Sequence, residues 1–224
     1  MIVRIKSKAG TALVEVRNRA EHIQRWWQKG AFYEPSMLQR IWKTYSGGTF
    51  IDAGSNIGNH TLFFALFCGV KQILSIEPDL SLINFQRRNL ELNEVADRVI
   101  LAQCALGSNS GRGSMVNVSP WDHFNCGMNQ LVLGDDVDVV TLDSLVEKYG
   151  HNDVTVVKID VEWNEPQVLM GAQKLLLTQR PVLFIEAPNA KHLEKIANLL
   201  EPLGYHGIDH YNPTPTYEFI YGTD

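Results

Sequence analysis

Residues 50–65 read FIDAGSNIGNHTLFFA: an apolar run, a corner carrying Gly54 and Gly58, and at once a second apolar run. This is the form of a strand that turns directly into a helix. In an open parallel sheet such corners lie beyond the carboxyl ends of the strands, where ligands bind. A dinucleotide fold would place G-x-G-x-x-G here, its second glycine admitting the pyrophosphate to the backbone and its third admitting close helix packing. Counted from Gly54, those two positions hold Asn56 and Asn59. The dinucleotide pattern therefore fails at two of three glycines, and no Gly-Lys-Ser/Thr follows to make a Walker loop.

Charge at the corner points away from phosphate. Asp52 closes the first strand, an acidic group unsuited to several phosphates and suited to a cationic centre. The next apolar run ends in SIEPD, which puts Glu77 beside the corner, where its two oxygens can accept from both hydroxyls of a ribose. An adenosine with a positively charged tail satisfies both features. The competing reading is a plain strand-to-helix turn with Asn56 capping the helix.

Outward from the corner, short β-branched runs alternate with helical patterns, the signature of an α/β chain with a mostly parallel, doubly wound sheet. The strand runs are TFIDAG (49–54), QILSIEP (72–78), RVILAQCAL (98–106), VTVVKIDV (154–161) and PVLFIEA (181–187), with helices expected near 57–68, 80–93, 142–149, 165–178 and 190–202. Near the end, two aromatic-rich runs flank Asn212, Pro213, Thr214 and Pro215, which predicts a hairpin and an antiparallel edge. Two segments fall outside the alternation. Residues 1–47 carry a strand pair and then helical material with Trp26, Trp27, Phe32, Tyr33 and Trp42, expected as a cap over the carboxyl edge of the sheet. Residues 108–137 are expected as a long loop inserted into a domain of residues 48–224, and its Trp121, His123, Phe124 and Met128 argue for function over disorder.

Composition narrows the class. A chain of 224 residues, 45% hydrophobic, can bury a full core as one domain, and its net charge of −5 argues against a nucleic-acid partner. No run approaches the roughly 18 apolar residues of a membrane helix. The amino terminus lacks an export pattern, so no membrane partner and a cytoplasmic location are expected. Cys68, Cys104 and Cys126 are widely spaced and odd in number, which supports neither a disulfide framework nor a metal knuckle. No metal site is expected.

Taken together and in order, DAGSNIGNHTLFFA, SIEPD, Asn89, CAL, VVTLDSL, VVKIDVEWNEPQVLMGA and LFIEA resemble the FkbM family of S-adenosylmethionine-dependent methyltransferases. A D-x-G-x-x-x-G corner alone is common among class I methyltransferases; the combination is specific, and it covers roughly residues 34–210. The resemblance implies a Rossmann-like methyltransferase fold, S-adenosyl-L-methionine as cofactor, and a small hydroxylated acceptor such as a sugar or polyketide. A monomer or homodimer is expected.

Carried over by position, the resemblance puts Asp52, Gly54, Asn56 and Gly58 around the methionine part of the cofactor and Glu77 on the ribose. Pro78, Asp79, Cys104 and Ala105 would lie against the adenine, and Asp160 beside the methyl group. Methyl transfer from a sulfonium needs alignment, exclusion of water and sometimes a base. Asp160 is the first candidate to position or deprotonate a hydroxyl, followed by Glu162 and His123, with His60 and Lys158 as outside candidates. Glu34, in FYEPSML, resembles a family glutamate and takes no assigned role. After KIDVE the family generally has glycine, whereas this chain has Trp163. An indole there would wall the acceptor pocket, expected to include Trp121 and Asn125 as well, or would pack on the amino-terminal cap. N-methylation of a small amine or peptide, a catalytically silent cofactor-binding protein, and a nicotinamide-dependent oxidoreductase stay open as alternatives.

Overall fold

The structure is a computed structural model that describes residues 1–118 and 129–222. The chain opens with β1 (Ile2–Lys6), β2 (Thr11–Glu15), α1 (His22–Gln28) and α2 (Pro35–Thr44). The corner joins β3 (Thr49–Ala53) to α3 (Asn59–Phe67), and β4 (Gln72–Ile76), α4 (Leu80–Leu92) and β5 (Val99–Ala102) follow. Next come β6 (Ala105–Leu106), β7 (Gly111–Asn117), β8 (Asn129–Val140), α5 (Leu142–Lys148) and β9 (Val154–Ile159). The chain continues through α6 (Glu165–Met170), α7 (Gln173–Thr178), β10 (Val182–Glu186) and α8 (Ala190–Leu200) to β11 (Tyr205–Tyr211) and β12 (Thr216–Tyr221).

Seven strands form one sheet in the order β11-β12-β10-β9-β3-β4-β5. From β10 to β5 every pairing is parallel. The chain leaves β3 toward β4 and β5, then returns to its other side for β9 and β10, so the crevice between β3 and β9 is a topological switch point. The expected hairpin closes the sheet. Its last strand, β12, enters between β10 and β11 and is antiparallel to both, so the edge strand β11 runs with the parallel set.

Helices on both faces explain why the strands read as unbroken apolar runs. Phe50, Ile73, Val156 and Phe184 face one core with α3 and α4, while their neighbours Ile51, Leu74, Val157 and Leu183 face the other with α5 to α8. The amino-terminal segment joins the first core through Ile5, Val14, Trp27, Met37 and Ile41. It therefore lies mainly on the α3 and α4 face, and only His22, Ile23 and Tyr33 reach the cavity at the carboxyl edge. Two asparagines of and after α4 fasten it: Leu13 N donates to Asn93 Oδ1 at 2.9 Å and Glu15 N to Asn89 Oδ1 at 2.7 Å. Backbone groups on an exposed strand edge are thus satisfied by side chains. Arg40 of α2 donates to both oxygens of the buried Glu218 on β12, at 2.9 and 3.0 Å, and the hydroxyls of Tyr45 and Tyr211 donate to the same carboxylate.

In the segment expected as a long loop, the described residues are largely strand. β7 and β8 pair antiparallel, with β6 parallel to β8, making a three-stranded sheet. Its Gly, Ser and Asn content obscured the β-branched run LVLGDDVDVV at 131–140. Trp121, His123, Phe124, Asn125, Cys126 and Met128 lie outside the described residues. RVILAQCAL divides at Gln103 and Cys104, which carry the chain from the main sheet to the small one. The helix expected over 165–178 breaks at Gly171, where a Cβ would come within 2.2 Å of the Gly107 carbonyl oxygen.

Candidate active site

The corner is built around glycine. Gly54 has φ +76°, and a Cβ there would sit 1.7 Å from the Asp160 carbonyl oxygen, so β3 and β9 approach too closely for any side chain. The amides of Gly54 and Ser55 both donate to Ile76 O at 3.0 Å. Asn56, itself at φ +50°, donates its amide to Glu77 Oε2 at 3.0 Å, while its own Oδ1 is buried without a partner. Glu77 Oε1 accepts from Asp79 N at 3.0 Å. Burial pushes the Glu77 carboxyl up to about 7 despite these two amides.

Three expected cofactor residues serve the scaffold instead of the cavity wall. Asp52 points inward and is fully buried: it accepts from Thr61 Oγ1 at 2.6 Å and lies 3.2 Å from the Lys158 ammonium. Burial raises the Asp52 carboxyl, but Lys158, His60 and Thr61 together outweigh it and hold the group below the usual carboxylate range. Its charge is thus spent on lysine and is turned away from a ligand. Gly58 leaves room for Gln86, whose Nε2 braces the corner through Ser55 Oγ at 2.8 Å and Asn56 O at 2.7 Å. Asp79 caps α4, accepting from Ser81 N at 2.7 Å.

A cavity of ≈ 460 Å³ opens over the switch point. One wall consists of Gly54, Asn56, Glu77, Pro78, Cys104 and Ala105, all expected from the sequence. The opposite wall carries Lys158, Asp160, Glu162, Trp163 and Glu186 from the ends of β9 and β10. Lys158 Nζ donates to Gly54 O at 3.2 Å and lies 3.4 Å from Asp160 Oδ2, so one buried ammonium ties the two walls together. Burial, then the neighbouring Asp160 and Glu165, pushes the Glu162 carboxyl up to about 8. Glu186 moves up for the same reasons, with Asp160 and Glu162 its strongest charged neighbours. Glu186 had the same signal as Glu77, an acid at a strand end, but was not singled out.

Tyr33, His22 and His60 also line the cavity. Nothing in the local sequence marks Tyr33 as a wall residue, because a buried asparagine puts it there. Asn59 Oδ1 accepts from Tyr33 N at 3.0 Å and from Trp27 Nε1 at 3.0 Å, while its Nδ2 donates to Tyr33 O at 3.1 Å. The next residue pair repeats the join, with His60 Nε2 2.9 Å from Glu34 Oε2.

The turn after Asp160 departs from ordinary backbone. Glu162 and Trp163 have φ +52° and +76°, a left-handed pair in non-glycine residues. Glu165 holds the turn: one oxygen accepts from Val161 N at 3.0 Å and the other lies 2.6 Å from His192 Nε2. The Trp163 ring meets His192 of α8 edge-on at 5.3 Å between centroids. Trp163 lines the cavity while remaining 48% exposed. Among the described residues no cluster of His, Cys, Asp or Glu could hold a metal ion, and no helix is long and apolar enough to cross a membrane.

Comparison with known proteins agrees with this architecture. The model of the methyltransferase FkbM domain matches residues 52–206. No curated protein matches the chain. Among solved structures, methyltransferase FkbM from Methylobacillus flagellatus is 23% identical with a TM-score of 0.57, over 78% of this chain and 44% of that one. This chain thus spans less than half of that relative. Precorrin-6y C5,15-methyltransferase from Geobacter metallireducens is 12% identical with a TM-score of 0.52, over 84% and 87% of the two chains. SMU.1697c from Streptococcus mutans, solved in complex with SAH, is 14% identical with a TM-score of 0.51, over 82% and 93%. These likenesses establish the Rossmann-like methyltransferase fold. The domain match, which spans more than half of the chain, establishes the family: the chain belongs to the FkbM family of S-adenosylmethionine-dependent methyltransferases.

Proposed function

We propose that this chain transfers the methyl group of S-adenosylmethionine to a hydroxyl on a small metabolite or sugar. The observation that carries the reading is one cavity with Glu77 and the bare Gly54 corner on one wall and Asp160 and Glu162 on the other. The residues fit the cofactor. Each Glu77 oxygen takes one backbone amide and keeps a second lone pair for a ribose hydroxyl. Asn56 Oδ1, buried without a partner, can accept from the ammonium of the methionine part. Pro78, Cys104 and Ala105 would flank the adenine. When bound, S-adenosylmethionine supplies an electrophilic methyl on a sulfonium.

Asp160, held by Lys158, orients the acceptor. Glu162 retains its proton near neutrality and can donate a hydrogen bond. Trp163 narrows the entrance and excludes water. A second reading, N-methylation of a small amine, is favoured by three acids, Asp160, Glu162 and Glu186, facing the same space. Calorimetric titration with S-adenosylmethionine, S-adenosylhomocysteine and NAD tests the cofactor; NAD binding without adenosylmethionine binding would overturn the assignment. Labelled-methyl transfer to a metabolite extract, compared with Asp160→Ala, identifies the product as O- or N-methylated.

A further inference from the structure

We propose that His60, oriented by Glu34, is the base that takes the proton of the methylated hydroxyl. The inference rests on the methyl-transfer reading above. His60 stands in the first turn of α3, 5% exposed, and lines the cavity together with Tyr33, Asp160 and Lys158. Its Nε2 faces Glu34 Oε2 at 2.9 Å, and among the described residues its Nδ1 has no hydrogen-bond partner. A neutral imidazole that donates its Nε2 hydrogen to a carboxylate carries its lone pair on Nδ1. That is the tautomer a proton acceptor needs.

The pair is placed by structure on both sides. Glu34 has φ +57°, directly before Pro35 at the start of α2. Such strain in a non-glycine residue persists only where its surroundings over-determine it, and it concentrates at functional sites. Here the two Asn59 bonds to Tyr33 and the Trp27 bond to Asn59 supply that constraint. Asp160, by contrast, already faces an ammonium at 3.4 Å. A nucleophile, a base and a third group that aims the base form the usual arrangement for activating a hydroxyl.

In the transfer step the acceptor O–H gives its proton to Nδ1 while its oxygen forms the new O–CH₃ bond. The electron pair of the breaking S–CH₃ bond stays on sulfur, which becomes a neutral thioether. The imidazolium left on His60 is stabilised by Glu34 and returns its proton to water.

The test uses the 224-residue chain and a hydroxyl acceptor recovered from the labelled-methyl screen. His60→Gln and Glu34→Gln are expected to lower kcat by about 100-fold and about 10-fold, with KM for the acceptor and the calorimetric Kd for S-adenosylmethionine within about threefold of wild type. His60→Ala leaves a ring-sized void, and free imidazole is expected to restore part of its kcat. Wild-type kcat in His60→Gln overturns the proposal while the methyltransferase reading stands, as does loss in His60→Ala with intact cofactor binding and no imidazole rescue. Absence of methyl transfer by the wild-type chain overturns both.

Discussion

Trp163 offers a direct measure of strain in the active-site turn. At φ +76° it occupies a conformation that glycine adopts freely and that costs another L-residue about 1–2 kcal/mol. A fully enclosed Trp side chain covers about 150–250 Å². With 48% exposure about 100 Å² of Trp163 stays covered, worth about 2.5 kcal/mol. Trp163→Ala loses that contact and keeps the strain. Trp163→Gly loses the same contact and sheds the strain, at an entropic cost of about 0.5–1 kcal/mol in the unfolded chain. The glycine variant should therefore be destabilised by about 2 kcal/mol and the alanine variant by about 2.5 kcal/mol. The difference of about 0.5–1 kcal/mol corresponds to a Tm about 1–4 °C higher for glycine than for alanine. Thermal and urea melts of the three proteins without ligand are the assay. An alanine variant as stable as the glycine variant would refute the strained turn. Broader acceptor use by Trp163→Gly checks the wall role separately, and unchanged acceptor preference would sink it.

Three further outcomes follow from the same geometry. Gly54→Ala drives a Cβ to 1.7 Å from the Asp160 carbonyl oxygen, so β3 and β9 must separate; we expect loss of adenosylmethionine binding and a destabilisation of about 3 kcal/mol or more, read by calorimetry and urea melts. Lys158→Met leaves Asp52 buried without its ammonium partner and should cost about 3–5 kcal/mol in urea melts, with most of the loss recovered when Asp52→Asn is added. A double variant no better than the single one would show that the charge pair is not the cause. For pH, burial raises Glu77 to about 7 and Glu162 to about 8 from an ordinary 4.5, so the folded chain keeps protons that the unfolded chain gives up. Their contribution to stability is complete below 4.5 and is lost as pH rises through 7 and 8, so Tm should fall across that window. Glu77→Gln with Glu162→Gln should flatten the slope, and an unchanged slope would reject the assignment.

By itself the amino-acid sequence determined the parallel sheet and the edge on which the site lies. Strands covered on both faces must be apolar throughout, and acids or glycines just past such strands share one edge of the sheet. Gly54, Glu77, Asp160 and Glu162 could be placed at the cavity for that reason. The sheet within residues 108–137 was not, because its polar loop composition outweighed a β-branched run that pairs only with distant partners. Nor was the role of Asp52, which reads as a ligand-facing acid until the parallel register sets it opposite Lys158 on β9. The Glu34–His60 pair likewise exists only because Asn59 clamps the loop at Tyr33 onto α3. Hydrophobic period and strand-end position are properties of a few consecutive residues. Which charge faces which depends on register and packing between elements far apart in the chain, and only the tertiary structure decided that.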